Sequence, residues 1–106
     1  MGDGRRFKEF AAFIEQTFPG AYNIVDVAGG HGDLAFCLHR LGKRPVIVDP
    51  REARFSGRIR RALRKEAIRA GKLVQMERLC PLLRSDLEGT LYVTGSALSF
   101  SFHFSE

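Results

Sequence analysis

A chain of 106 residues, 44% hydrophobic and 27% charged, has the length and composition of one globular domain with a single modest core, not of a disordered segment. No apolar run approaches the ~20 residues of a membrane helix. Amphipathic sequence rather than a secretory leader follows Met1, so a cytoplasmic location is expected. The net charge of +5 permits an anionic partner and says nothing about the fold.

Residues 5–18 carry Phe7, Phe10, Ala11, Ile14 and Phe18 at helical spacing. This predicts an amphipathic helix, capped by Asp3 and stopped by Pro19-Gly20, with Phe13 off the stripe. Residues 22–27 read as a strand buried on both faces up to its acid, Asp26. A glycine-rich turn over residues 28–32 follows. Residues 33–41 predict a short helix with Leu34, Cys37, Leu38 and Leu41 inward and Gly42 after its last turn. Residues 45–49 are β-branched and end in Asp49, as suits a central parallel strand. Residues 56–70 predict a third helix with Ile59, Leu63, Ala67 and Ala70 inward and Gly71 as its stop. Residues 73–77 are assigned to a third strand.

The expectation for residues 22–77 is therefore a β-α-β-α-β core with right-handed crossovers. The fold class is α/β: a Rossmann-like three-layer sandwich, its short parallel sheet flanked by helices. The character changes after residue 78. Residues 90–94 and 97–104 read as a C-terminal hairpin turning at Gly95-Ser96, with Leu98, Phe100, Phe102 and Phe104 alternating with polar residues.

The turn, Asn23-Ile24-Val25-Asp26-Val27-Ala28-Gly29-Gly30-His31-Gly32-Asp33, admits three ligand classes. A phosphate-cradling P-loop needs Lys and Ser or Thr after its last glycine; Asp33-Leu34 stands there instead. A dinucleotide matches Gly30-x-Gly32-x-x-Ala35, with Asp49 19 residues beyond Gly30 in the ribose position. However, Asp26 and Asp33 would oppose its pyrophosphate at the helix N-terminus. S-adenosylmethionine carries the adenosine without the phosphate. Asp49 can accept from its ribose hydroxyls, and Asp26 can face its ammonium, directly or through water.

Asp26-x-Ala28-x-Gly30-x-Gly32, with Asp49 ending the second strand, resembles the first two motifs of the class I S-adenosylmethionine-dependent methyltransferases. The departure is Ala28, where that family usually has its first glycine. The resemblance is specific over residues 22–51 and covers residues 7–77 in outline. It implies a cofactor site at Asp26, Ala28, Gly29, Gly30, His31, Gly32, Asp49, Pro50 and Arg51. Gly30 and Gly32 would pass the methionine portion, and Pro50 or Arg51 would border the adenine. His31 is a turn position whose backbone matters more than its ring.

Family members usually carry a seven-stranded sheet in about twice this length, and often an Asn or Asp followed by prolines and an aromatic after the fourth strand. That motif is missing, and no general base stands out. The chain thus reads as a version truncated after the third strand. It would need a partner chain or a second copy to complete the sheet, or it is a non-catalytic interaction domain or relic that keeps the fold. An NAD-binding domain is the other alternative. Cys37 and Cys80 lack metal-type spacing and read as free thiols, and His31, His39 and His103 are too scattered for a metal site.

Between residues 51 and 72 lie Arg51, Arg54, Arg58, Arg60, Arg61, Arg64, Lys65, Arg69 and Lys72, against Glu52 and Glu66. The two readings are an RNA-facing surface and a solvated outer helix face. The methyl acceptor is not named by any motif; RNA is favoured only through this segment.

Overall fold

The phenylalanine-rich stripe forms α1 (Gly4–Thr17), which lays Phe10, Ala11 and Ile14 into the core and leaves Phe13 44% exposed. The computed structural model describes residues 4–27, 29–49, 54–79, 90–95 and 100–105. Asp3, Ala28, residues 50–53, Cys80 to Gly89 and residues 96–99 lie outside them. Leu98, Pro50, Arg51 and the Asp3 cap therefore fall outside the described residues.

After α1 come β1 (Asn23–Val27), α2 (Asp33–Arg40), β2 (Arg44–Val48), α3 (Gly57–Ala70), β3 (Glu77–Leu79), β4 (Thr90–Gly95) and β5 (Phe100–Ser105). The chain is α/β, with a five-stranded sheet in the order β3-β2-β1-β4-β5. The pairs β1–β2, β1–β4 and β2–β3 are parallel, and β4–β5 is antiparallel.

Strand register fixes the faces. Ile24 pairs with Pro45 and Leu91, and Asp26 with Ile47 and Val93, so these residues share one face of the pleat. All three helices pack on that face. α1 and α2 close over Ile24, Leu91 and Val93 through Phe10, Ile14, Leu34 and Leu38. α2 and α3 close over Ile47 through Ala35, Phe36, Ile59 and Leu63. A second helical layer on the other face is not among the described residues. Burying each of these large apolar side chains stabilises the fold by about 1.5–3 kcal/mol before entropy is counted.

Helix α2 touches both neighbours, and this explains a difference from its periodicity. Its buried residues are Leu34, Ala35, Phe36 and Leu38, while Leu41, expected inward, is the helix cap and 45% exposed. A helix wedged between two others needs an apolar arc wider than one stripe. Helix α3 stops at Gly71 as expected, with φ 68°, while Ser56, read as its first residue, is its cap, Oγ accepting from the Ile59 amide at 3.3 Å; Ala70, expected inward, is exposed in the last turn.

The third strand lies later than expected, at Glu77–Leu79 rather than 73–77. Helix α3 ends a layer above the sheet, and residues 72–76 bring the chain down to it. Met76 is buried on the way and Leu73 is left 76% exposed. The parallel sheet also continues beyond the third strand, because β4 inserts beside β1. The hairpin exists, but Gly95 pairs with Phe100, so it belongs to β4 and the connection spans residues 96–99 rather than turning at Gly95-Ser96. Among the described residues, no helix is long and apolar enough to cross a membrane.

Candidate functional site

The glycine turn leaves the carboxyl end of β1, the central strand. From β1 the chain crosses through α2 and α3 to β2 and β3 on one side, and later returns to β4 on the other. This is the topological switch point of an open parallel sheet, where the loops above the strand ends diverge.

Both acids singled out in the sequence reach this end. Asp26 sits in β1 between Ile47 and Val93 and is 2% exposed. Asp49 follows the last residue of β2 and is fully buried. Buried carboxylates need donors, and the Gly30 amide donates to Asp49 Oδ2 at 2.9 Å. Ala28, Pro50 and Arg51, the other expected contacts, lie outside the described residues.

The glycines of the turn differ in their surroundings. A Cβ at Gly29 would stand 2.7 Å from Asp26 Oδ2 and 2.9 Å from Ile47 Cγ2, so this residue must be bare for the turn to lie on the buried acid. A Cβ at Gly32 would stand 2.8 Å from the Phe55 ring, and Gly32 has φ 92°. Gly30 also has positive φ, 58°, yet a Cβ there meets nothing within 4 Å among the described residues.

A second segment, not singled out from the sequence, is laid against the turn. The Ser56 amide donates to the His31 carbonyl at 3.2 Å, and His31 Nδ1 bonds the Arg54 carbonyl at 2.8 Å. A carbonyl only accepts, so Nδ1 carries a proton in this bond. The half-buried Phe55 ring packs beside Gly32. Arg58, at the start of α3, holds Asp33 at 3.1 Å. That pair is largely exposed and adds at most about 1 kcal/mol to stability. It also offsets the charge of Asp33, one of three carboxylates at the turn with Asp26 and Asp49. The only signals for this contact in the sequence were a lone phenylalanine and the Ser56-Gly57 helix start.

Two clefts open elsewhere. One is lined by His39, Glu66, Arg69 and Leu73, the other by Tyr22, Lys43, Pro45 and Glu77. Both lie toward the strand starts, away from the turn. Among the described residues no group of three His, Cys, Asp or Glu side chains gathers as a metal site. Cys37 is a free thiol on α2, half-buried; burial pushes its pKa above the ordinary thiol value.

Compared with models of known protein families, the chain matches none, and it matches no curated protein sequence.

Proposed function

We propose that this is a Rossmann-like domain that binds S-adenosylmethionine at the glycine turn, in the manner of a class I methyltransferase. The observation that carries the reading is the meeting of two buried carboxylates, at the ends of adjacent parallel strands, with a bare turn at the switch point of the sheet. Ligands of open α/β sheets bind in that crevice.

The residues suit this ligand chemically. Gly30 offers backbone without a side chain. Asp49 ends β2 beside the turn, with one oxygen on the Gly30 amide, and a carboxylate is the acceptor that ribose hydroxyls call for. Asp26 supplies negative charge for a ligand that bears an ammonium and a sulfonium. When bound, S-adenosylmethionine supplies a methyl group to an in-line nucleophile, and the domain's part is chiefly orientation. The acceptor wall would come from a partner chain or a second copy of this one.

Two observations support other readings. The Asp33–Arg58 pair removes part of the electrostatic objection to a dinucleotide. The near-complete burial of Asp26 and Asp49 suits carboxylates that serve only to fix the turn, as in a non-catalytic interaction domain that keeps the fold. Isothermal titration calorimetry separates the three. Binding of S-adenosylmethionine and S-adenosylhomocysteine but not NAD, lost in Asp49→Ala, is expected. Tighter binding of NAD favours the dinucleotide reading, and binding of none favours the interaction domain.

A further inference from the structure

We infer that the outer face of α3 is a docking surface for the phosphate backbone of single-stranded RNA. The inference starts from charge that the fold leaves uncompensated. Arg60, Arg61, Arg64, Lys65 and Arg69 are all exposed, and none has an ion pair among the described residues. The single acid of the helix, Glu66, is held by His39 at 3.0 Å; it lines a cleft with Arg69 but makes no ion pair with the five among the described residues. Among the described residues, Arg58 is the one cation of the helix in an ion pair, with Asp33.

The spacing of these cations favours a repeating anion. Arg60 with Arg64, Arg61 with Lys65, and Arg61 with Arg64 are neighbours at i, i+4 and i, i+3, about 5–6 Å apart at Cβ. A partner that satisfies such rows must carry anions at regular intervals. A nucleic-acid strand does; a folded acidic protein presents carboxylates irregularly. Four of the five are arginines, whose planar forks pair with phosphate through two hydrogen bonds. A lipid surface fits poorly. Amphipathic membrane helices insert an apolar face, and the apolar face of α3 is spent on the core through Ile59 and Leu63. Ile68, 75% exposed, is the one large apolar side chain the helix shows to solvent.

The choice of a single strand rests on the methyl-transfer reading, whereas the phosphate contact does not. The first turn of α3 is tied to the glycine turn through Ser56–His31 and Arg58–Asp33, so a strand lying along α3 runs up to that turn. A base inside a duplex must be flipped out before it can react. The strand that serves this surface therefore arrives unpaired, as RNA loops and ends do, and is held through its phosphates, since the helix carries no aromatic residue to stack its bases.

The test is fluorescence anisotropy with a labelled 15-nucleotide oligouridylate, without cofactor, from 50 to 200 mM KCl. Four phosphate contacts give a slope of log K against log salt near −3, about 0.7 per contact. The quadruple variant R60Q/R61Q/R64Q/K65Q is expected to lose affinity about tenfold or more at the lowest salt and most of that slope. The corresponding all-lysine variant is expected to keep the slope, and Lys8→Gln on α1, the loss of one positive charge away from α3, to bind as the parent does. Circular dichroism checks that the variants fold. Parent-like binding by the quadruple variant overturns the surface, as does absence of binding by the parent. Displacement of RNA by polyglutamate or by phosphatidylserine vesicles at equal charge reassigns the partner. Tighter binding of a 15-base-pair DNA duplex overturns the single strand. None of these outcomes depends on S-adenosylmethionine, so the two proposals fail separately.

Discussion

The Gly30 amide and Asp49 Oδ2 meet at 2.9 Å although 19 residues separate them. This bond joins the turn after β1 to the end of β2, and the proposed reading gives Asp49 a second task, accepting from the ligand. Removing the acceptor leaves a partly buried amide unsatisfied, at about 1–3 kcal/mol. Asp49→Ala should therefore lower the urea midpoint and also abolish S-adenosylmethionine binding. Asp49→Asn retains an oxygen for the amide and should recover part of the stability but not the full affinity. Equal stability of parent and Asp49→Ala would show that the bond contributes nothing in solution.

Gly29 and Gly30 are expected to respond differently to the same methyl group. At Gly29 the Cβ collides with Asp26 and Ile47, and Gly29→Ala should destabilise by about 1–3 kcal/mol. At Gly30 the cost is the left-handed backbone, about 1–2 kcal/mol, because the Cβ meets nothing within 4 Å among the described residues. The ligand is proposed to lie there. Gly30→Ala should weaken S-adenosylhomocysteine binding more than its stability loss explains; unchanged affinity by calorimetry would contradict this placement.

Phe55 is expected to act as a cover on the turn. Its ring packs against Gly32, on the side where Ile47 also approaches. Phe55→Ala removes a half-buried ring and should cost less than the roughly 3–5 kcal/mol of a fully buried one. If the ring stands over the ligand position, the same variant binds S-adenosylhomocysteine more tightly. Weaker binding would instead make the ring part of the ligand wall.

Cys37 gives a pH dependence. Burial raises its pKa most, and Asp33 adds to this, against partial offsets from Lys8, Arg58 and Arg40. The folded state thus favours the neutral thiol. The contribution is fully present below the thiol pKa of the unfolded chain and is lost as pH rises through the higher folded value. Thermal midpoints between pH 7 and 10.5 should fall less steeply in Cys37→Ala than in the parent. An identical alkaline slope would show that the thiol does not sense the fold.

Local patterns in the sequence sufficed for elements whose packing follows one stripe. Phe10 and Ile14 mark the buried side of α1, and Ser56 and Gly71 bound α3. The acids and glycines of the turn were legible because few residue types serve there. Longer-range relations were not. Nothing in residues 90–94 says that β4 lies beside β1, since pairing across the sheet depends on chain return, not on local periodicity. The shift of β3 to Glu77 follows from the climb down from α3, which no residue between 72 and 76 announces. The contact of Phe55 and Arg54 with the turn joins segments more than 20 residues apart.

The central claim is that a phosphate-free adenosine ligand settles on the glycine turn. Its most direct test is the backbone amide spectrum of the ¹⁵N-labelled protein during titration with S-adenosylhomocysteine. The Gly30 and Gly32 resonances are expected to move and saturate together, while Gly42 and Gly71, in the same left-handed conformation at helix ends away from the turn, stay in place. Gly30 and Gly32 unmoved at millimolar ligand, or all four glycines drifting alike without saturation, would contradict it.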